Sequence, residues 1–255
     1  MIIAKIKKIS DHVELHVIDI EVLTKEIIEQ LDKNLVEICE GNSGTDIKLV
    51  KKNFLKFLET KEDKTKIGAV AEFFVHLYLR QCSYKQEFLF FNLEEGSIKK
   101  GFDGFFSKST DQYLVESKSG WHTTIGISHK KKIKEAFDDI SKVISGTSKK
   151  SSNNPWKNAY NHACHINVGT EKSIREKIKK ISDQFDKNAF NKASEFNIIP
   201  CSSIFIKEDL ITSLSNSIDD GFLVELDAKS LKAICITKYS YNSFINYLGC
   251  NHAKY

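Results

Sequence analysis

Hydrophobic and polar residues alternate along residues 1–20, and many of the apolar positions carry β-branched side chains. This period of two predicts two short strands joined near Ser10 to His12. Beyond them, apolar side chains recur at spacings of three and four residues, which is the pattern of helices with one buried face. Three such helices are predicted, at residues 21–40, 46–59 and 64–82.

The period of two returns after the third helix. Apolar residues dominate three runs separated by short polar turns, which predicts strands at residues 86–94, 98–107 and 111–120. The remaining predicted elements are a helix at 129–144, a loop at 145–155, a helix at 171–190, a strand at 197–206, and strand, strand and helix within 221–248. Together these elements predict an α/β fold with helices flanking a mixed sheet.

Length and composition agree with a folded protein, because 255 residues of which 41% are hydrophobic can bury an ordinary core. We expect a single domain with an N-terminal extension at about residues 1–60, a central core at about 61–150 and a C-terminal part at about 151–255 packed on that core.

The chain has no apolar run of the roughly 18 residues that a membrane helix requires, and charge interrupts its N-terminus too early for a signal peptide. We therefore expect a cytoplasmic protein without membrane association. The six cysteines include no C-x-x-C pair, which favours reduced thiols over a disulfide framework.

The net charge of +4 is small, but basic residues cluster at residues 129–134, 148–157 and 171–180. Such clusters can neutralise the phosphates of a nucleic acid. Helix faces rich in lysine also occur simply because water solvates them, so charge leaves both interpretations open.

The stretch "KGFDGFFSKSTDQYLVESKSGW", residues 100–121, places Asp103, Glu116 and Lys118 within apolar predicted strands. Charged groups there are costly unless they are paired, solvated or bound to a metal. Alternation along a strand puts Glu116 and Lys118 on one side, and Asp103 can approach the same surface from the preceding strand. Two carboxylates suit Mg²⁺ or Mn²⁺, and a nearby lysine can orient a water molecule. Alternatively, Glu116 and Lys118 form a solvated pair on a one-sided sheet.

These residues resemble the PD-(D/E)xK nuclease superfamily, in which an aspartate on one strand is followed by E-x-K on the next. The resemblance implies a restriction-endonuclease-like core and metal-dependent hydrolysis of phosphodiester bonds. Asp103 and Glu116 would hold the ion, and Lys118 would position the attacking water. Glu72, in "KIGAVAEFFVHLY", matches the further acidic residue of the preceding helix and would complete or orient the metal shell. Phe102 stands where the superfamily has its nominal proline.

A narrower resemblance rests on "GFDG" and "YLVESK" downstream of a helix with an xGxxxE pattern. This combination is similar to the DUF1837 (HamA) family of the prokaryotic Hachiman anti-phage system. That resemblance implies a defence nuclease directed at DNA and restrained by a HamB-like helicase partner. Two alternatives are a restriction-type endonuclease acting alone and a non-catalytic subunit that senses nucleic acid or regulates a helicase.

Four further residues are candidates for nucleic-acid binding. His129, Lys130 and Lys131 open the helix predicted after the E-x-K strand, where they either hold phosphate or merely solvate the first turn. Trp156 lies in a polar segment, where its ring either stacks on a base or packs in the core or against a partner.

Overall fold

The structure is a computed structural model that describes residues 1–92, 97–98, 101–148, 154–206, 218–238 and 241–249. The strands in these residues are β1 (Ala4–Lys8), β2 (Val13–Ile20), β3 (Lys85–Gln86), β4 (Phe91–Asn92), β5 (Ser97–Ile98), β6 (Gly104–Lys108), β7 (Asp111–Trp121), β8 (Asn197–Phe205) and β9 (Ser230–Lys238). The helices are α1 (Lys25–Glu40), α2 (Ile47–Glu59), α3 (Asp63–Gln81), α4 (His129–Ile144), α5 (Pro155–Ala163), α6 (Lys172–Asp186) and α7 (Tyr241–Gly249).

The main sheet has seven strands in the order β1-β2-β9-β8-β7-β6-β3, and β4 pairs with β5 in a separate small sheet. Neighbours from β2 to β7 run parallel, while β1 and β6 pair antiparallel with the ends of this block. The predicted α/β class with a mixed sheet and flanking helices is confirmed.

Helices cover the sheet on both faces. Apolar residues of α1, α2, α3 and α7 form one core with the sheet, and those of α4, α5 and α6 form a second core on the opposite face. In β7, the consecutive residues Leu114 and Val115 enter different cores. Because parallel strands covered on both faces need not alternate in polarity, β8 is buried along its whole length.

The N-terminal hairpin, the first three helices and α4 lie where the apolar pattern predicts them. The predicted strand at 86–94 is wrong as a continuous element, because β3 pairs with β6 at Lys85 and Gln86 and the chain then turns towards the end of α1. There the side chain of Gln86 donates to the carbonyls of Ile38 and Phe88, and the backbone N–H of Phe90 also donates to Ile38. These bonds replace those of a strand ladder.

Two further elements differ from the prediction. The first strand predicted after residue 221 is a short 3-10 helix, Gly221–Glu225. Helix α5 was not predicted, although Asn154 caps it by accepting hydrogen bonds from Trp156 N and Lys157 N, and Pro155 occupies its first turn.

Within the predicted loop at 145–155, residues 149–153 lie outside the described part of the chain, as do Cys250 and residues 93–96 and 99–100. None of the described helices is long and apolar enough to cross a membrane.

Candidate active site

The site forms where β6 and β7 separate. The two strands pair from Lys108 opposite Asp111 to Gly104 opposite Val115, and Asp103 directly precedes β6. Beyond that point β7 continues to Trp121 beside β8. The segment of β7 that starts at Glu116 therefore has no β6 partner in the ladder.

Asp103 closes the end of the β6–β7 ladder with its side chain. Its Oδ2 accepts a hydrogen bond of 2.7 Å from the backbone N–H of Ser117. This bond takes the place of a strand partner and holds the carboxylate next to Glu116. The next residue, Gly104, leaves room for the ring of Phe106, because a Cβ there would lie 2.7 Å from that ring.

Glu116 and Lys118 lie on the α4 side of β7, since they share the face of Leu114. The ammonium group of Lys118 donates to Glu116 Oε1. Glu116 is buried, with 8% of its surface exposed, whereas Lys118 is partly exposed. The structure thus brings Asp103, Glu116 and Lys118 together, as the strand pattern predicts.

The electrostatics of the cluster follow from burial and from two adjacent carboxylates. Burial, reinforced by the negative charge of Asp103, raises the pKa of Glu116 to about 8. For Lys118, burial opposes the charged form, but the attraction of Glu116 and Asp103 outweighs it and raises the pKa above its ordinary value. Lys118 is therefore protonated at neutral pH, and a second cation near the two carboxylates would relieve their repulsion.

Glu72 is linked to the cluster through His76, one helical turn along α3. Glu72 Oε1 lies 3.7 Å from His76 Nε2, and both side chains are buried. His76 Nε2 also lies 3.2 Å from the backbone carbonyl of Asp103 and donates to it, because a carbonyl can only accept. Sequence reasoning missed His76, although its position four residues after Glu72 on a helix was a usable signal.

Asp139 of α4 is the second residue that sequence reasoning missed. Its Oδ2 lies 3.0 Å from Lys118 Nζ. The E-x-K pattern contains no information about α4, so tertiary packing was needed to reveal this contact.

The described residues include no group of three or more His, Cys, Asp or Glu side chains arranged to hold a metal ion. The metal centre of Asp103, Glu116 and Glu72 stays a prediction. Asp103 and Glu116 suit a hard divalent cation chemically, because both offer carboxylate oxygens, and a cation would offset both the burial and the nearby Asp103 charge that raise the pKa of Glu116. Water and main-chain oxygens would complete such a shell.

His129 is buried within the fold. Its ring is 5% exposed and contacts Ser202 Oγ at 2.8 Å and Thr237 Oγ1 at 3.3 Å. Burial lowers its pKa to about 4. The ring therefore ties the start of α4 to β8 and β9 rather than facing a phosphate.

The other three candidates for nucleic-acid binding differ in exposure. Trp156 is 1% exposed, stacks on Phe196 with ring centroids 5.3 Å apart and also packs against Phe102, so in this structure it serves the core rather than a base. Lys130 pairs with Asp219 at 2.7 Å on the surface, and Lys131 is exposed.

Comparison with known proteins gives one family. The model of the HamA family matches residues 3–247. No individual curated protein matches the sequence. The matched range contains the N-terminal hairpin, the complete sheet and every residue of the candidate site.

Proposed function

Since the chain belongs to the HamA family and hence to Hachiman anti-phage defence, we propose that it is a metal-dependent nuclease that hydrolyses the phosphodiester bonds of DNA. The observation that carries the proposal is the juxtaposition of Glu116, Lys118 and the carboxylate of Asp103 where β6 and β7 separate. The arrangement of strands and residues agrees with a PD-(D/E)xK core.

Asp103 and Glu116 would hold Mg²⁺ or Mn²⁺. Such an ion lowers the pKa of a bound water and stabilises charge on a phosphate oxygen. Asp103 is suited to this role because its Oδ2 is already held by Ser117 N–H at 2.7 Å. Glu72 would complete or orient the metal shell. Its contact with His76, whose ring donates to the Asp103 carbonyl, supports the orienting role.

Lys118 would orient the attacking water and stabilise the charge that develops on the scissile phosphate. Its raised pKa keeps the ammonium charged at neutral pH.

The proposed partner is a HamB-like helicase that restrains the nuclease until it is activated. Support for this partner comes from membership in a family of the Hachiman system. Lys131, which is exposed in the first turn of α4, would contact DNA phosphates, and Lys130 would do so by exchanging its surface partner Asp219 for a phosphate.

The test is cleavage of DNA by the chain with its helicase partner, with Mg²⁺ or Mn²⁺ and after chelation. Glu116→Gln and Lys118→Ala should each lose activity by about 100-fold or more, because the first removes a proposed metal ligand and the second removes a cation that would stabilise the developing charge. Chelation should abolish cleavage, and added metal should restore it.

Lys232→Ala is a matched control. Lys232 forms another lysine–glutamate pair on the same sheet, 2.6 Å from Glu14, but it lies outside the candidate site. Cleavage that persists in Lys118→Ala would refute the site. A wild-type complex that never cleaves would favour a non-catalytic regulatory subunit, and cleavage at one fixed sequence without helicase would indicate a restriction-type enzyme.

A further inference from the structure

The ammonium group of Lys118 bridges two carboxylates from different elements. On β7 it contacts Glu116 Oε1, and on α4 it contacts Asp139 Oδ2 at 3.0 Å. Most of each side chain is covered by protein: the exposed fraction of the side chain alone is 11% for Glu116, 22% for Lys118 and 20% for Asp139. Contacts in such a setting are less weakened by water than those of a fully exposed pair.

A bound metal ion would weaken the contact of Lys118 with Glu116 more than its contact with Asp139. In the proposed function Glu116 turns its oxygens towards the cation, and its hold on Lys118 weakens because one carboxylate then serves two positive charges. Asp139 lies on α4, a different element from the β6–β7 pair that carries the proposed ligands, and it forms an ion pair with Lys118. Its contact with Lys118 can therefore persist.

The position of Asp139 is set by the packing of α4. Ala136 and Ile140, on either side of it in sequence, are fully buried in the core beneath the helix. At the first residue of the helix, the ring of His129 contacts Ser202 and Thr237 of the sheet. A carboxylate on so constrained a helix can hold a long, flexible lysine side chain in one place.

We propose that Asp139 is a positioning residue that holds the Lys118 ammonium group beside the reacting phosphate while Glu116 is engaged by the metal. This inference rests on the proposed function. Without Asp139, the Lys118 side chain would sample several rotamers, and fewer of them would place the ammonium group productively.

The central experiment is a double-mutant cycle on the rate of DNA cleavage by the complex with its helicase partner. Asp139→Ala should lower kcat by about 10- to 100-fold, the usual cost of removing an outer-shell partner, and leave KM for DNA unchanged. In a Lys118→Ala background the same substitution should have no further effect, because Asp139 acts through Lys118. Additive losses would overturn the proposal.

Two further variants separate positioning from folding. Asp139→Asn keeps the shape and an oxygen acceptor, so it should retain more activity than Asp139→Ala. The neighbouring Asp138 is exposed, so Asp138→Asn serves as the matched control and should behave like the wild type. Equal loss in the Asp138 and Asp139 variants would refute a specific role.

Two binding measurements do not depend on cleavage. Calorimetric titration with Mn²⁺ should give nearly the wild-type affinity for Asp139→Ala but strongly reduced affinity for Glu116→Gln. If Asp139→Ala abolished Mn²⁺ binding, Asp139 would be a ligand and the proposal would fail. In NMR spectra of the Mg²⁺-loaded protein, the ammonium signal of Lys118 should be protected from exchange in the wild type and lost in Asp139→Ala.

These outcomes also keep the two proposals apart. A wild-type complex that cleaves no DNA contradicts the proposed function, whereas the ammonium signal still decides whether Asp139 holds Lys118. A signal that is unchanged in Asp139→Ala would overturn the inference even in an active enzyme.

Discussion

Asp103 combines a structural role with the metal-binding role proposed for its carboxylate. Its carboxylate accepts the backbone N–H of Ser117, which has no β6 partner at this position, and its charge contributes to the raised pKa of Glu116. A residue with two roles can be separated experimentally, because asparagine keeps the acceptor and removes the charge.

We therefore expect Asp103→Asn to be about as stable as the wild type but inactive. Asp103→Ala should be inactive and also less stable than Asp103→Asn by about 1–3 kcal/mol, the cost of leaving a partly buried N–H without a partner. Urea denaturation of the two variants measures this difference. Equal stabilities would show that the bond to Ser117 N contributes little to folding.

At the scale of elements, the site depends on α4 being held against β8 and β9. The buried ring of His129 makes this connection at the first residue of the helix. Its burial lowers the pKa from 6.5 to about 4, so the folded protein disfavours the protonated ring that the unfolded chain accepts.

This difference gives a pH dependence of known sign. Between pH 6.5 and about 4 the unfolded chain binds a proton at His129 that the folded chain does not. The contribution of the neutral ring to the free energy of unfolding is therefore complete above pH 6.5 and is lost as the pH falls towards 4. The loss reaches about 3 kcal/mol at most.

The substitution His129→Gln should remove the part of the pH dependence of stability that comes from this ring. We expect the free energy of unfolding of the wild type to fall relative to that of His129→Gln as the pH is lowered from 7 to 4, measured by urea denaturation at each pH. Parallel pH profiles for the two proteins would contradict the assignment of a buried neutral ring.

At the scale of the molecule, segments distant in sequence share one core. Strand β2 pairs with β9, so the N-terminal hairpin lies next to the last strand of the described chain. Helix α7 packs through Phe244 on Phe54 of α2 and Phe73 of α3, with ring centroids 5.7 and 5.3 Å apart. The family match over residues 3–247 covers both ends of this core.

Phe244 is fully buried, so Phe244→Ala should destabilise the protein by about 3–5 kcal/mol through lost packing and the remaining cavity. Val224→Ala is the control, because Val224 is 59% exposed and its truncation should change stability by less than about 0.5 kcal/mol. Thermal and urea denaturation measure both. A small effect of Phe244→Ala would show that α7 contributes little to the core.

The sequence by itself determined the elements with strong periodicity and the residues that carry the motif. Amphipathic spacing located α1 to α4, and alternation placed Glu116 and Lys118 on one face of β7, because both features depend only on local backbone geometry. The sequence did not reveal the irregular course after Gln86, where side-chain hydrogen bonds to the end of α1 replace a strand ladder.

The tertiary structure decided which side chains meet. His76 contacts the Asp103 carbonyl, 27 positions later in the chain, and Asp139 contacts Lys118, 21 positions earlier. Trp156 and His129 are buried inside the fold. Local patterns contain no information about such contacts, because they depend on how helices pack on the two faces of the sheet. The motif predicts metal-dependent hydrolysis, whereas the packing of the helices on the sheet determines which residues, such as His76 and Asp139, contact the motif.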